Sequence, residues 1–156
     1  MKALSIYAPY VNDICDGSKT EEYRSWKTNY RGDLLICAAA RKSGYIWLTK
    51  DQLPPGYDDG EYYVNWSGLC VTGHAMCIVN LVDCRLLDDD SYAWILSDLR
   101  LIKPIPIKGK QNLFNVDIEP EYIEFKSYED ARRYYAKLGL IDAETAQERE
   151  NQQIPQ

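Results

Sequence analysis

At the N-terminus, apolar and polar side chains alternate, shift to a helical spacing, and then alternate again. Residues 2–7, KALSIY, alternate and predict a strand. Pro9 suits a first helical turn and Gly17 a helix end, while Val11, Ile14 and Cys15 share one apolar face at i, i+3 and i+4. EEYRSW, residues 21–26, predicts a second strand. In that strand Glu22, Arg24 and Trp26 share one face, and Glu21, Tyr23 and Ser25 the other. KTNYRGD supplies turn chemistry, and LLICAAA is apolar throughout, as a central strand buried on both faces should be.

Residues 41–68 carry two adjacent prolines and several glycines and predict a long surface loop, of the kind that can gate a site. LCVTGHAMCIVNLVDCRLL then runs as a long β-rich stretch in which Gly73 and Asn80 mark a bulge or bend. YAWIL predicts an aromatic-rich strand, with Trp94 in the core. Pro104 and Pro106 in LRLIKPIPIKGK favour an edge or an extended connection, and NLFNVDI a short closing strand. SYEDARRYYAKLG is a helix capped by Ser127 and Asp130, with Ala131, Tyr134, Tyr135 and Leu138 on one face and Gly139 as its stop. About six strands with flanking helices predict an α+β protein, most simply a small closed or nearly closed β-barrel.

Composition narrows this picture. A chain of 156 residues is one domain's length and buries a core without staples. Its five cysteines (Cys15, Cys37, Cys70, Cys77 and Cys84) form no C-x-x-C pair, and His74 is the only histidine. Neither a zinc site nor a secreted disulfide framework is expected, so the thiols read as free, in a reducing cytoplasm. No cofactor motif is present, and no apolar run is long enough to span a membrane. The opening MKALSIYAPYVNDICDG is broken by Pro9, Asn12 and Asp13, and reads as the first strand and helix rather than a signal peptide.

The formal net charge of −6 argues against a protein that coats duplex DNA or RNA. The charge is segregated, however. Residues 19–50 hold seven cations against three acids, residues 51–98 nine acids against Arg85, and residues 99–110 four cations and no acid. Two basic segments that meet in space would form a positive patch fitted to a local anionic or polar ligand.

The stretch GSKTEEYRSW places Gly17, Lys19, Glu22 and Arg24 in the pattern G-x-K-x-x-E-x-R. That pattern resembles the signature of ASCH domains, members of the PUA-like superfamily of small β-barrels. The likeness extends in order from about residue 2 to residue 117, through GHAMCIVNLVDC, YAWIL and PIPIKGKQNLFNV. It divides the chain into a barrel over 1–117 and a C-terminal helical extension over 118–156 with a frayed acidic tail. The resemblance implies a cleft lined by the signature that recognises single-stranded RNA or a modified nucleotide. Some small bacterial relatives hydrolyse the acetyl amide of N4-acetylcytidine with a Lys from this motif, a Thr and a Glu. Those relatives place Thr where this chain has Glu22; here Thr20 lies two residues earlier.

The chemistry of the motif is compatible with either role. Lys19 as a base would need a pKa lowered from about 10.4, whereas Glu21 and Glu22 beside it favour the charged form, suited to a phosphate or a polarised carbonyl. Glu22 offers a carboxylate to a nucleobase amine or to water, and Arg24 a planar fork to phosphate. Trp26, Tyr23 and Trp66 are stacking candidates, and Lys108 and Lys110 flank Gly109 at the expected cleft edge. His74 reads as structural, and its strand parity differs from that of Cys77, which argues against a Cys–His nucleophilic pair. The leading expectation is a module binding single-stranded RNA or a modified nucleotide through Lys19, Thr20, Glu22, Arg24, Trp26, Lys108 and Lys110. The alternatives are an amidohydrolase acting on acylated nucleosides through Lys19 and Glu22, and a protein-interaction domain.

Overall fold

The structure is a computed structural model that describes residues 1–8, 10–42 and 71–141. The expected 41–68 loop falls almost wholly outside the described residues, as do Trp66, Cys70 and the tail from 142. The elements in chain order are β1 (Lys2–Ala8), α1 (Tyr10–Cys15), β2 (Glu21–Arg24), β3 (Gly32–Lys42), β4 (His74–Leu86), β5 (Tyr92–Pro106), β6 (Phe114–Asn115), β7 (Tyr122–Ile123) and α2 (Tyr128–Lys137). The order β2-β5-β4-β3-β1-β6, with β7 also pairing β5, makes one seven-stranded sheet.

The fold is α+β as expected, but the sheet is not a closed barrel. β2 pairs with β5 and β6 with β1, and no pairing among the described residues joins these two ends. Periodicity reports which face of a strand is buried, not which strands become neighbours, so closure was not legible in it. YAWIL and LRLIKPIP also merge into the single 15-residue β5. Asp98, with φ 54°, bends it, and the β4–β5 ladder carries three register irregularities, one of them between Ile78 and Asn80. The proline end of β5 lies beyond β7, so Pro104 and Pro106 remove no rung there from that partner.

The apolar LLICAAA segment of β3 supplies both faces. Leu34, Ile36 and Ala38 join a large core that also holds Leu4, Trp94, Val11 and Ile14 of α1, and Ala131 and Tyr135 of α2. Leu35 and Cys37 join a smaller core on the other face with Ala3, Ile78, Ile102 and Phe114. β1 runs parallel to β3 in register Ala3↔Leu35 and Leu4↔Ile36, so it splits its side chains between the same two cores. In α2 the Ser127 hydroxyl accepts from the Asp130 N–H at 3.2 Å, and Gly139, at φ 76°, ends the helix. Leu138 departs from the predicted apolar face: it is the C-cap and is 42 % exposed, while Arg132 is buried and donates to Glu129 at 2.9 Å.

Trp94, 0 % exposed, meets Trp26 edge-to-face at 4.7 Å and donates its indole N–H to the Trp26 carbonyl at 3.3 Å. Trp94→Ala is expected to lower stability by about 3–5 kcal/mol in urea unfolding, against about 1 kcal/mol for removing the cap in Ser127→Ala. Arg100 of β5 reaches over β4 to Asp33 of β3 at 2.7 Å, and that hydrogen bond holds the Asp33 carboxyl below its ordinary 3.8. A depressed carboxyl stabilises above its ordinary value and loses that contribution as pH falls through its lowered one. Arg100→Gln should therefore shift acid unfolding, followed by circular dichroism, to higher pH.

Candidate ligand-binding cleft

Gly17, at φ 85°, turns the chain sharply out of α1 and places Leu99 against its open side. The Lys19 N–H then donates back to the Asp13 carbonyl at 2.9 Å, so Lys19 emerges from a fixed turn. Thr20 is tied by its carbonyl to the Leu96 N–H at 2.8 Å, and its side chain is exposed. Within β2, Glu22 pairs opposite Trp94, which places its carboxylate inside the fold at 9 % side-chain exposure.

Such a carboxylate requires compensation. Lys19 Nζ lies 3.1 Å from one oxygen and Arg24 Nε 3.5 Å from the other. Arg24 also donates through Nη2 to the Ser5 carbonyl on β1 at 3.1 Å, and Lys19 Nζ sits 5.8 and 5.9 Å from the Tyr10 and Tyr23 rings. The alternation expected for β2 therefore holds: Glu22 and Arg24 meet on one face. On the other face, the Tyr23 hydroxyl donates to Glu21 at 2.8 Å, which raises its phenol above the usual range.

Arg24 is also a wall of a cleft of about 490 Å³, together with Ser5, Trp26, Lys108, Gly109 and Lys110. Arg24 comes from the first basic segment and the two lysines from the second, so the two segments do converge. No acidic residue lines this cleft among the described residues, although the chain as a whole is acidic. Lys19, Thr20 and Glu22 are not among its walls; Lys19 and Glu22 connect to it through Arg24.

Sequence reasoning missed Ser5. Its hydroxyl oxygen is buried without a hydrogen-bond partner, as is Arg24 Nε, whose 3.5 Å approach to Glu22 is an ion pair only. Buried polar atoms are nearly always paired, so both are unused capacity beside the cleft. A β-carbon on Gly109 would collide with that oxygen, so glycine is what lets the Lys108–Lys110 segment lie on β1. A small polar residue within an alternating strand carries no signal that separates it from any solvent-facing serine.

The fold is thus an α+β sheet with a G-x-K-x-x-E-x-R segment at the turn into β2. The family model described as the ASCH domain matches residues 4–153, and the chain belongs to that family. Among solved structures, a point mutant of the ASCH protein ZmASCH from Zymomonas mobilis is similar. It is 12 % identical, the match covers 74 % of this chain and 89 % of that one, and the TM-score is 0.46. No curated protein matches the sequence.

Glu22→Ala is expected to cost about 1–3 kcal/mol in urea unfolding, because it frees two cations from a shared partner. Lys19→Ala should cost under about 1 kcal/mol, since Arg24 still faces the carboxylate and Lys19 is partly solvated. Gly109→Ala should lower the melting temperature, and Ser5→Gly in the same chain should restore most of the loss.

Proposed function

We infer that this ASCH domain binds single-stranded RNA or a modified nucleotide in the cleft walled by Arg24, Trp26, Lys108 and Lys110. The observation that carries this reading is that the charged residues lining the cleft, among those described, are all cations, on a chain of net charge −6. Such a local field draws phosphate without supporting the long-range binding of a polyanion coat. Trp26 is half-buried, with its edge contact to Trp94 fixing the ring, and offers a base a pre-positioned stacking surface. Arg24, held by Glu22 and the Ser5 carbonyl, is oriented before any ligand arrives. Lys19 and Glu22 set that orientation from behind, and Thr20 lies on the exposed rim of the turn.

The amidohydrolase alternative rests on the 3.1 Å approach of Lys19 to Glu22. It would use Lys19 for the oxyanion and Glu22 for the water. Each oxygen of that carboxylate already faces a cation, and Glu22 is not among the walls of the cleft, which favours the binding reading.

Fluorescence titration with oligouridylate and with cytidine monophosphate at low salt tests the proposal. Binding is expected to weaken about tenfold or more in Arg24→Ala, which corresponds to about 1.4 kcal/mol. Removing Lys108 or Lys110 should flatten the salt dependence by about 0.7 for each phosphate that is no longer neutralised. Trp26→Ala should cost about 1–3 kcal/mol per stacked base. No saturable binding by the intact chain at low salt defeats the reading. Turnover of N4-acetylcytidine abolished by both Lys19→Ala and Glu22→Gln would replace it with the hydrolytic one.

A further inference from the structure

Away from the cationic cleft, a second cavity of about 540 Å³ opens between α1, β5 and α2, walled by Met76, Leu99, Phe125 and Tyr135. Cys15, the last residue of α1, is half-buried and forms part of this wall. Its sulfur lies 3.7 Å from that of Cys77, which is wholly buried in β4. Cys37 and Cys84 make no such sulfur contact among the described residues.

We propose that Cys15 and Cys77 are an oxidisable thiol pair: peroxide entering the α1–α2 cavity oxidises Cys15, and Cys77 resolves it to a disulfide joining α1 to β4. This does not rest on the ligand reading for the cationic cleft. The geometry divides the two roles. Cys15 borders space that a small oxidant can enter, whereas Cys77 is sealed by the core behind it. The Cys15 contact and then burial push the Cys77 thiol well up, so alone it stays protonated and unreactive.

In the first step the Cys15 thiolate attacks hydrogen peroxide; an S–O bond forms, the O–O bond breaks, and the departing hydroxide is protonated to water. In the second, Cys77 sulfur attacks the Cys15 sulfenic acid; the S–S bond forms, the S–O bond breaks, and the hydroxide leaves as water with the Cys77 proton. Two thiols are oxidised and one peroxide is reduced to two waters.

A disulfide needs a sulfur separation of about 2.05 Å. The remaining closure has to come from rotation of Cys15 and a small shift of the end of α1. That end is a single short helix released at once through Gly17. The bridge would fasten the same turn whose Asp13 carbonyl holds the Lys19 N–H.

The test treats the reduced, full-length chain with hydrogen peroxide and maps its peptides by mass spectrometry. The expected product is a linked pair of peptides containing Cys15 and Cys77, lighter by two hydrogens and parted by dithiothreitol. In Cys77→Ala, dimedone should label Cys15; in Cys15→Ser, Cys77 should remain an unmodified thiol. The Cys15→Ser arm and the wild-type map decide the matter even if the buried Cys77→Ala substitution unfolds the chain. A Cys15 that stays reduced, that ends as sulfinic acid without a bridge, or that pairs with Cys37, Cys70 or Cys84 overturns the proposal.

Discussion

A carboxylate inside a protein must be neutralised where it stands, and Glu22 imposes that constraint on its neighbourhood. Its backbone is fixed by the β2–β5 ladder opposite Trp94, and its side chain is only 9 % exposed. The compensating charges must come to it. Lys19 arrives from the turn after α1, and Arg24 from two residues further along β2. Arg24 then has one remaining direction, towards the Ser5 carbonyl on β1. One buried acid thereby aligns a helix end, an edge strand and β1, and fixes which way the guanidinium faces the cleft.

Much of this was legible before the fold was known, for identifiable reasons. The alternation in EEYRSW assigns Glu22 and Arg24 to one face, and a strand has no other way to arrange them. Gly17 is readable because only a positive φ turns the chain there, and LLICAAA because a strand with no polar side is buried on both. What was not legible is set by pairing. Nothing in the local pattern tells β5 that it will run unbroken through Asp98, or that β6 will meet β1 instead of an edge that closes a ring.

The cleft divides along the same line. Arg24, Trp26, Lys108 and Lys110 were nameable from charge and motif, yet their convergence depends on Gly109 resting against Ser5, a contact between residues over a hundred positions apart. Lys19 and Glu22 are not among the walls of the cleft and connect to it through Arg24.

The open sheet leaves marginal strands β2 and β7 beside β5, and β6 beside β1, among the described residues. Unpaired backbone along a margin is a template for adding another chain, and long, flat, apolar margins make proteins aggregate. Here β6 is two residues long, and β2 is four and carries Glu21, Glu22 and Arg24. A passing strand would find too few rungs at one side and fixed charge at the other. Charge along β2 thus adds to the shortness of β6 and β7 in making these margins poor templates for a further strand.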